Sequence, residues 1–161
     1  MDAGCGGGAY LDALERDGIS RIGADINQKY AGFCRERGHN VVQMDAQAMA
    51  FASSSFDSVI LIEVLEHLES PRRALERAFT VARKNVLVSV PNIDVIPYLY
   101  RYGVVPWHLL EASHLTFFTP KLLETLMLEF ASDVEIYYYG KFAHWVDERE
   151  LYMQLFAAGS R

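Results

Sequence analysis

The chain has 161 residues, 51% of them hydrophobic, which is room for one domain with a real core. Its formal net charge of −6 argues against nucleic acid as a default partner, because a tight hold on phosphates needs a basic face. Two cysteines, Cys5 and Cys34, are too few for a disulfide framework, no apolar run reaches the ~20 residues of a membrane span, and no leader peptide is evident, so the expected setting is reducing and cytoplasmic.

The chain opens abruptly on Asp2-Ala3-Gly4-Cys5-Gly6-Gly7-Gly8. In α/β proteins such a turn follows a full strand, so a shortened first strand is expected, as in a chain truncated at its N-terminus. Tyr10, Leu11 and Leu14 form one face of a short helix that stops at Asp17-Gly18. Residues 21–25 read as a strand, and 28–37 as a helix with Tyr30, Phe33 and Cys34 inward, stopped by Gly38. Residues 41–44 form another short strand, and 46–55 are small and polar.

Phe56–Ile62 is apolar without alternation, as expected of a strand covered on both faces. Ser70-Pro71 opens a helix, serine placed to cap and proline tolerated at the first position. Its stripe is Ala74, Leu75, Ala78, Phe79 and Ala82, and residues 85–90 form a second buried strand ended by Pro91. Residues 91–119 break the rhythm with three prolines, two histidines and several aromatics; so long a connection is usually functional or partly helical. Pro120 opens a helix with Leu122, Leu123, Leu126, Met127 and Phe130 on one side, and residues 134–139 and 151–158 close the chain as strands.

Alternating periodicities of this kind mark a parallel α/β sheet. The expected architecture is a Rossmann-like, doubly wound, seven-stranded and mostly parallel sheet with an antiparallel C-terminal hairpin. It forms a single domain over residues 1–161, with an insertion at about 91–119 that would cover a substrate.

The glycine turn is the central chemical signal. Glycines allow close backbone approach and positive φ, and the following helix offers free N–H groups and a partial positive charge. Gly4-x-Gly6-x-x-Ala9 also fits a dinucleotide fingerprint, so a nicotinamide-dependent enzyme stays open here. Asp2, just before the first glycine, suits a cationic methionine moiety better than a pyrophosphate. Asp25 ends the second strand, where an acid can bind both ribose hydroxyls. Asp45 follows at the third strand end and could accept an adenine amine. Helix capping or turn formation is the plain alternative for each acid taken singly.

The motifs Gly23-Ala24-Asp25, Met44-Asp45-Ala46, Phe56-Asp57-Ser58-Val59 and Glu63-Val64-Leu65-Glu66-His67-Leu68 follow the glycine turn in order. In order and spacing the chain resembles the class I methyltransferases that use S-adenosylmethionine, particularly the group that includes the ubiquinone-pathway O-methyltransferases. His114-Leu115-Thr116-Phe117-Phe118-Thr119-Pro120 is similar to the segment before their penultimate helix. The resemblance implies that Asp2, Gly4 and Gly6 surround the methionine part of the cofactor. It implies Asp25 on the ribose with Ile26 beside it, Asp45 and Ala46 flanking the adenine, and Glu63 near the methyl-transfer site. Relatives also carry a complete first strand, usually with helices before it, which this chain lacks.

Glu63, Glu66 and His67 lie at i, i+3 and i+4 and would share a face of a helical turn. With His114 they could ligate a divalent metal, as a similar element does in some related O-methyltransferases, including small-RNA 2′-O-methyltransferases. The alternative is that Glu66 and His67 orient the loop by hydrogen bonds. His114 and His67 are the candidates for general base, and Trp107, Tyr98 and Tyr102 for an apolar acceptor pocket. His39 and His144 are given no role. The expected reaction is methyl transfer to an oxygen, nitrogen or carbon of a small molecule; a non-catalytic methyltransferase-like binding module is the competing class.

Overall fold

The computed structural model describes residues 1–106, 110–142 and 149–161. Seven strands form one sheet: β1 (Asp2–Ala3), β2 (Gly23–Asp25), β3 (Val41–Gln43), β4 (Phe56–Ile62), β5 (Ala82–Pro91), β6 (Asp133–Lys141) and β7 (Tyr152–Ser160). Their order is β3-β2-β1-β4-β5-β7-β6. The first five run parallel, and β7 inserts antiparallel between β5 and β6. This is the expected Rossmann-like sheet, and β1 has only two residues.

Helices α1 (Ala9–Arg16) and α2 (Gln28–Glu36) flank the sheet at its β1–β3 end, while α3 (Pro71–Val81) and α5 (Pro120–Met127) belong to the main core. That core joins Leu75, Phe79, Leu123 and Met127 to Val59, Leu61, Val86 and Val88. A smaller cluster of Cys5, Leu11, Ala31, Cys34 and Val41 seats α1 and α2. The close seating has a cause: a Cβ on Gly23 would lie 2.9 Å from both Cys5 Sγ and Leu11 Cδ1.

Several details depart from the sequence reading. On α2 the buried residues are Ala31 and Cys34, while Tyr30 and Phe33 are exposed. Only small side chains fit between α2 and the glycine turn, where Cys34 Sγ donates to the Gly6 carbonyl at 3.2 Å. Phe33 instead lies under the Arg37 guanidinium. Leu122 is exposed on α5, and Ala82 begins β5 rather than ending α3. Ser70 sits at the N-cap of α3 without a side-chain capping bond; its N–H donates to Gln47 Oε1 at 3.0 Å. Asn27 and Thr119 do cap their helices, accepting from the N–H groups of Lys29 and Leu122.

β4 is not covered equally on its two faces. Val59 and Leu61 are fully buried, whereas Ser58, Ile60 and Ile62 on the opposite side are only partly so. Helices α1 and α2 extend over β1–β3, and among the described residues two hollows lie on the sheet beyond them, around Ile60 and around Ile62, Tyr137, Tyr139 and Phe156.

Residues 91–119 contain a 3-10 turn (Ile93–Val95) and a short helix, α4 (Ile96–Tyr100). Their ends are tied by a bridge between Asn92 and Phe118. Val95 and Leu99 pack on Leu151 in a satellite cluster.

Candidate active site

Four strand tips meet at one edge of the sheet. Beyond β1 the backbone turns through Gly4 and Gly6 at φ 87° and 48°. A Cβ on Gly4 would stand 2.4 Å from Val64 Cγ2, so this position admits no side chain. Asp25, at the tip of β2, ties the turn to α2: its Oδ2 accepts the Gly6 N–H and its Oδ1 the Asn27 N–H, each at 2.8 Å. Asp45, beyond β3, accepts the Gln47 N–H at 2.8 Å. A carboxylate oxygen has two acceptor sites, so both acids keep capacity for a ligand.

Gly4, Gly6, Asp25, Ile26, Asp45, Ala46 and Glu63 line one cleft of about 820 Å³. Seven of the eight expected cofactor residues therefore share a wall. Tyr30, Asn27, Leu68, Ser113 and Leu115 are among the other residues that line it, and Tyr30 is there because it points away from the core.

Asp2 is the exception. It does not line the cleft but is enclosed in β1 beneath the turn, 1% exposed, with Oδ2 unpartnered among the described residues. Burial pushes its carboxyl up from 3.8 to about 7; the Met1 ammonium opposes this and the Asp25 charge adds to it.

Glu63 follows β4 in the left-handed region at φ 53°, a conformation a β-carbon disfavours and that a functional site can retain. The turn breaks the helical face assumed for Glu63, Glu66 and His67. Glu63 Oε1 accepts from Ser89 Oγ at 2.5 Å and Tyr139 OH at 3.4 Å, and Oε2 from Gln154 Nε2 at 3.4 Å. These partners place its carboxylate beside a second hollow of about 320 Å³, walled by Tyr10, Ile62, Ser89, Tyr137, Tyr139 and Phe156.

Glu66, His67 and His114 do come together, with one ligand atom of each within 4.8 Å of the others. Glu66 is 1% exposed and neither carboxylate oxygen has a hydrogen-bond partner among the described residues. Burial drives its carboxyl from 4.5 to about 8, outweighing the opposing pull of its own amide, and nearby Glu63 pushes it higher. A buried orphan acid beside two imidazoles fits a divalent cation. The same group also latches the insertion: the Glu66 carbonyl accepts the N–H groups of Leu115 and Thr116, and His67 Nδ1 lies 3.0 Å from Ser113 Oγ. His67 lines the cleft; His114 is buried, packed edge-on against His67 with ring centroids 4.7 Å apart.

Of the aromatic residues expected to form an acceptor pocket, Tyr98 and Tyr102 line neither hollow. Tyr98 packs on the satellite cluster under the Arg149 guanidinium, and Tyr102 is exposed. Trp107 and His144 lie outside the described residues. His39 is buried and bonds Asp12 Oδ1 through Nε2 at 2.9 Å. Tyr10, Tyr137, Tyr139 and Phe156 were missed, although the period-2 spacing of Tyr137 and Tyr139 puts them on one face of a strand.

A family model described as a methyltransferase domain matches residues 1–90, more than half of the chain. The chain belongs to this methyltransferase family. With that, the dinucleotide reading of the glycine turn falls away. The methyltransferase domain is 32% identical to a ubiquinone biosynthesis O-methyltransferase of Methylococcus capsulatus, over 62% of this chain and 46% of that protein. It is 37% identical to the tRNA (carboxymethyluridine(34)-5-O)-methyltransferase of Mus musculus, over 51% of this chain and 12% of that one. The domain thus spans about half or less of the curated relatives it matches.

Among solved structures, a SAM-dependent methyltransferase from Archaeoglobus fulgidus superposes with a TM-score of 0.79 at 21% identity, covering 99% of this chain and 84% of that one. Magnesium protoporphyrin IX methyltransferase from Synechocystis, with bound S-adenosylmethionine, gives a TM-score of 0.69 at 16% identity, over 99% and 68% of the two chains. At such identities the likeness speaks for the fold. Among the described residues no helix is long and apolar enough to cross a membrane.

Proposed function

We propose that the domain binds S-adenosylmethionine in the strand-tip cleft and transfers its methyl group to an oxygen, nitrogen or carbon of a small molecule, in a cytoplasmic setting. The carrying observation is the shared wall of Gly4, Gly6, Asp25, Asp45 and Glu63 around about 820 Å³, a volume suited to a nucleoside-sized ligand. Asp25 takes the ribose hydroxyls, Asp45 and Ala46 the adenine, and the glycine turn the methionine end, with Asp2 supplying negative charge beneath it. The insertion at 91–119, expected from the sequence to cover a substrate, contributes Ser113 and Leu115 to this cleft and so closes over the cofactor side. Positioning carries the catalysis, since a sulfonium methyl is already activated.

His67 is better placed than His114 to take a proton, because it lines the cleft. A divalent cation held by Glu66, His67 and His114 would neutralise the buried acid and brace the insertion against the β4 tip. The tRNA named for the mouse relative is a less fitting acceptor here, given a net charge of −6. Calorimetry with S-adenosylhomocysteine tests the reading: the parent binds, and Asp25→Ala abolishes binding while circular dichroism stays native. Unchanged affinity in the variant overturns it.

A further inference from the structure

Glu63 belongs to two hollows at once, and this points to the kind of acceptor. It lines the cofactor cleft, while its carboxylate bonds Ser89 and Tyr139 in the wall of the aromatic hollow. The carboxylate is therefore the partition between the place assigned to the cofactor and a separate space of about 320 Å³. Tyr10 enters that space from the start of α1, and Tyr137, Tyr139 and Phe156 enter it from β6 and β7. The rings of Tyr137 and Phe156 lie 6.2 Å apart, inclined at 49°, and Tyr10 and Tyr137 are about half exposed, so their faces are open to a ligand.

The chemistry of this lining is one-sided. The faces of aromatic rings are electron-rich and attract cations, and Glu63 adds a formal negative charge at the inner end. Among the described residues no lysine, arginine or histidine lines the hollow. A phenol methylated here would have to lose its proton beside Glu63, whose carboxylate is held by the neutral donors Ser89, Tyr139 and Gln154 rather than by a cationic side chain, and a carboxylic acid or phosphate would meet the same repulsion. An amine meets the opposite field. The polar wall groups are Ser89, the tyrosine hydroxyls and Glu63, and Glu63 can accept an N–H.

We infer that the aromatic hollow is the acceptor subsite and that it takes an amine carried on a flat apolar body, with Glu63 holding the amine N–H at the edge of the cofactor cleft. The inference rests on the methyltransferase reading above and names its substrate class. The ammonium form is drawn in by the rings and the carboxylate, then loses one proton to water at the open mouth. The neutral nitrogen attacks the sulfonium methyl carbon with its lone pair. The C–S bond breaks, its electron pair remains on sulfur as the neutral thioether, and the N-methylammonium product pairs with Glu63. Charge and protons balance without an oxidant or a metal.

The test uses three compounds of similar shape: 2-phenylethylamine, 4-ethylphenol and 3-phenylpropionate. S-Adenosylhomocysteine binding is measured first; its absence refutes the methyltransferase reading itself. With S-adenosylhomocysteine saturating, calorimetry is expected to show the amine bound at least tenfold tighter than the phenol and the acid. With S-adenosylmethionine instead, the amine alone should yield a methylated product by mass spectrometry. Tyr137→Leu, at a half-exposed position that folding tolerates, should weaken the amine roughly three- to tenfold and leave S-adenosylhomocysteine affinity unchanged. Normal S-adenosylhomocysteine binding combined with equal affinities, or with preference for the phenol or the acid, overturns the assignment. So does an amine affinity indifferent to Tyr137→Leu.

Discussion

Asp2→Asn should strengthen the empty protein and weaken its hold on the cofactor. Burial moves the Asp2 carboxyl from 3.8 to about 7, a rise of about three units, and each unit is worth ~1.4 kcal/mol. A raised carboxyl favours the folded state fully below its unfolded value. That contribution is lost as pH climbs through the folded value. Above about pH 7 the native state therefore carries a cost on the order of 4 kcal/mol that the amide lacks. At ~2–4 °C per kcal/mol for a domain of this size, the variant should unfold roughly 10 °C higher near pH 8, with the gap closing toward pH 4. The amide cannot supply the negative charge that an ammonium or sulfonium needs. Asp2 lies beneath the glycine turn and outside the cleft, so its charge acts through space, and losing it should weaken S-adenosylmethionine binding roughly tenfold at high pH. The parent's affinity should rise with pH through about 7 while that of the variant stays flat. Differential scanning calorimetry across this pH range, with titration calorimetry at its two ends, checks both halves. Parallel unfolding profiles for the two proteins, or equal affinities at high pH, would refute the reasoning.

Gly4→Ala forces a β-carbon into φ 87° and to 2.4 Å from Val64 Cγ2; left-handed strain of ~1–2 kcal/mol plus the displaced valine should lower the melting temperature by several degrees and remove the thermal shift caused by S-adenosylhomocysteine. Glu66→Gln abolishes a carboxyl held near 8 by burial. Its stabilising effect should be absent at about pH 4 and grow through about pH 8, as read in urea unfolding at the two extremes. Leu75→Ala opens a cavity under α3 where the side chain is fully buried; urea unfolding should show a loss of ~2–5 kcal/mol with the denaturant slope unchanged.

The sheet was legible because strand and helix periods alternate, and the strand tips because each acid or glycine follows an apolar run. Faces were harder to read. Tyr30 and Phe33 share the helical period of Cys34 yet point outward, because close approach of α2 to the glycine turn selects small side chains, a constraint set by residues far away in sequence. The unbroken apolar run in β4 suggested cover on both sides, but Ile60 and Ile62 are only partly enclosed. Local spacing put Glu63 with Glu66 and His67 on one helical face. A single positive φ at Glu63 turns its carboxylate toward Ser89 and Gln154, partners contributed by strands 26 and 91 residues later. The aromatic hollow depends on the register of β6 and β7 with β5, which no single segment encodes.

At the strand tips, capping and the ligand binding proposed for the acids need not compete. Asp25 and Asp45 each accept a backbone N–H two residues ahead, from Asn27 and Gln47, which is the turn-forming role expected of aspartate anywhere. That bond fixes the carboxylate's direction before a ligand arrives, and the remaining acceptor sites are then presented to the cleft without further ordering. Asp25 goes further, because its second oxygen holds the Gly6 N–H and so sets the shape of the glycine turn itself. Losing Asp25 would remove the tie that holds the glycine turn as well as the ribose contact proposed for it, whereas losing Asp45 would remove a local cap and the adenine contact proposed for it. Asp2 has no partner for Oδ2 and serves neither purpose in the empty protein. A buried acid left unpartnered is costly, and a positive charge held above the glycine turn, as proposed for the cofactor, would offset part of that cost through space.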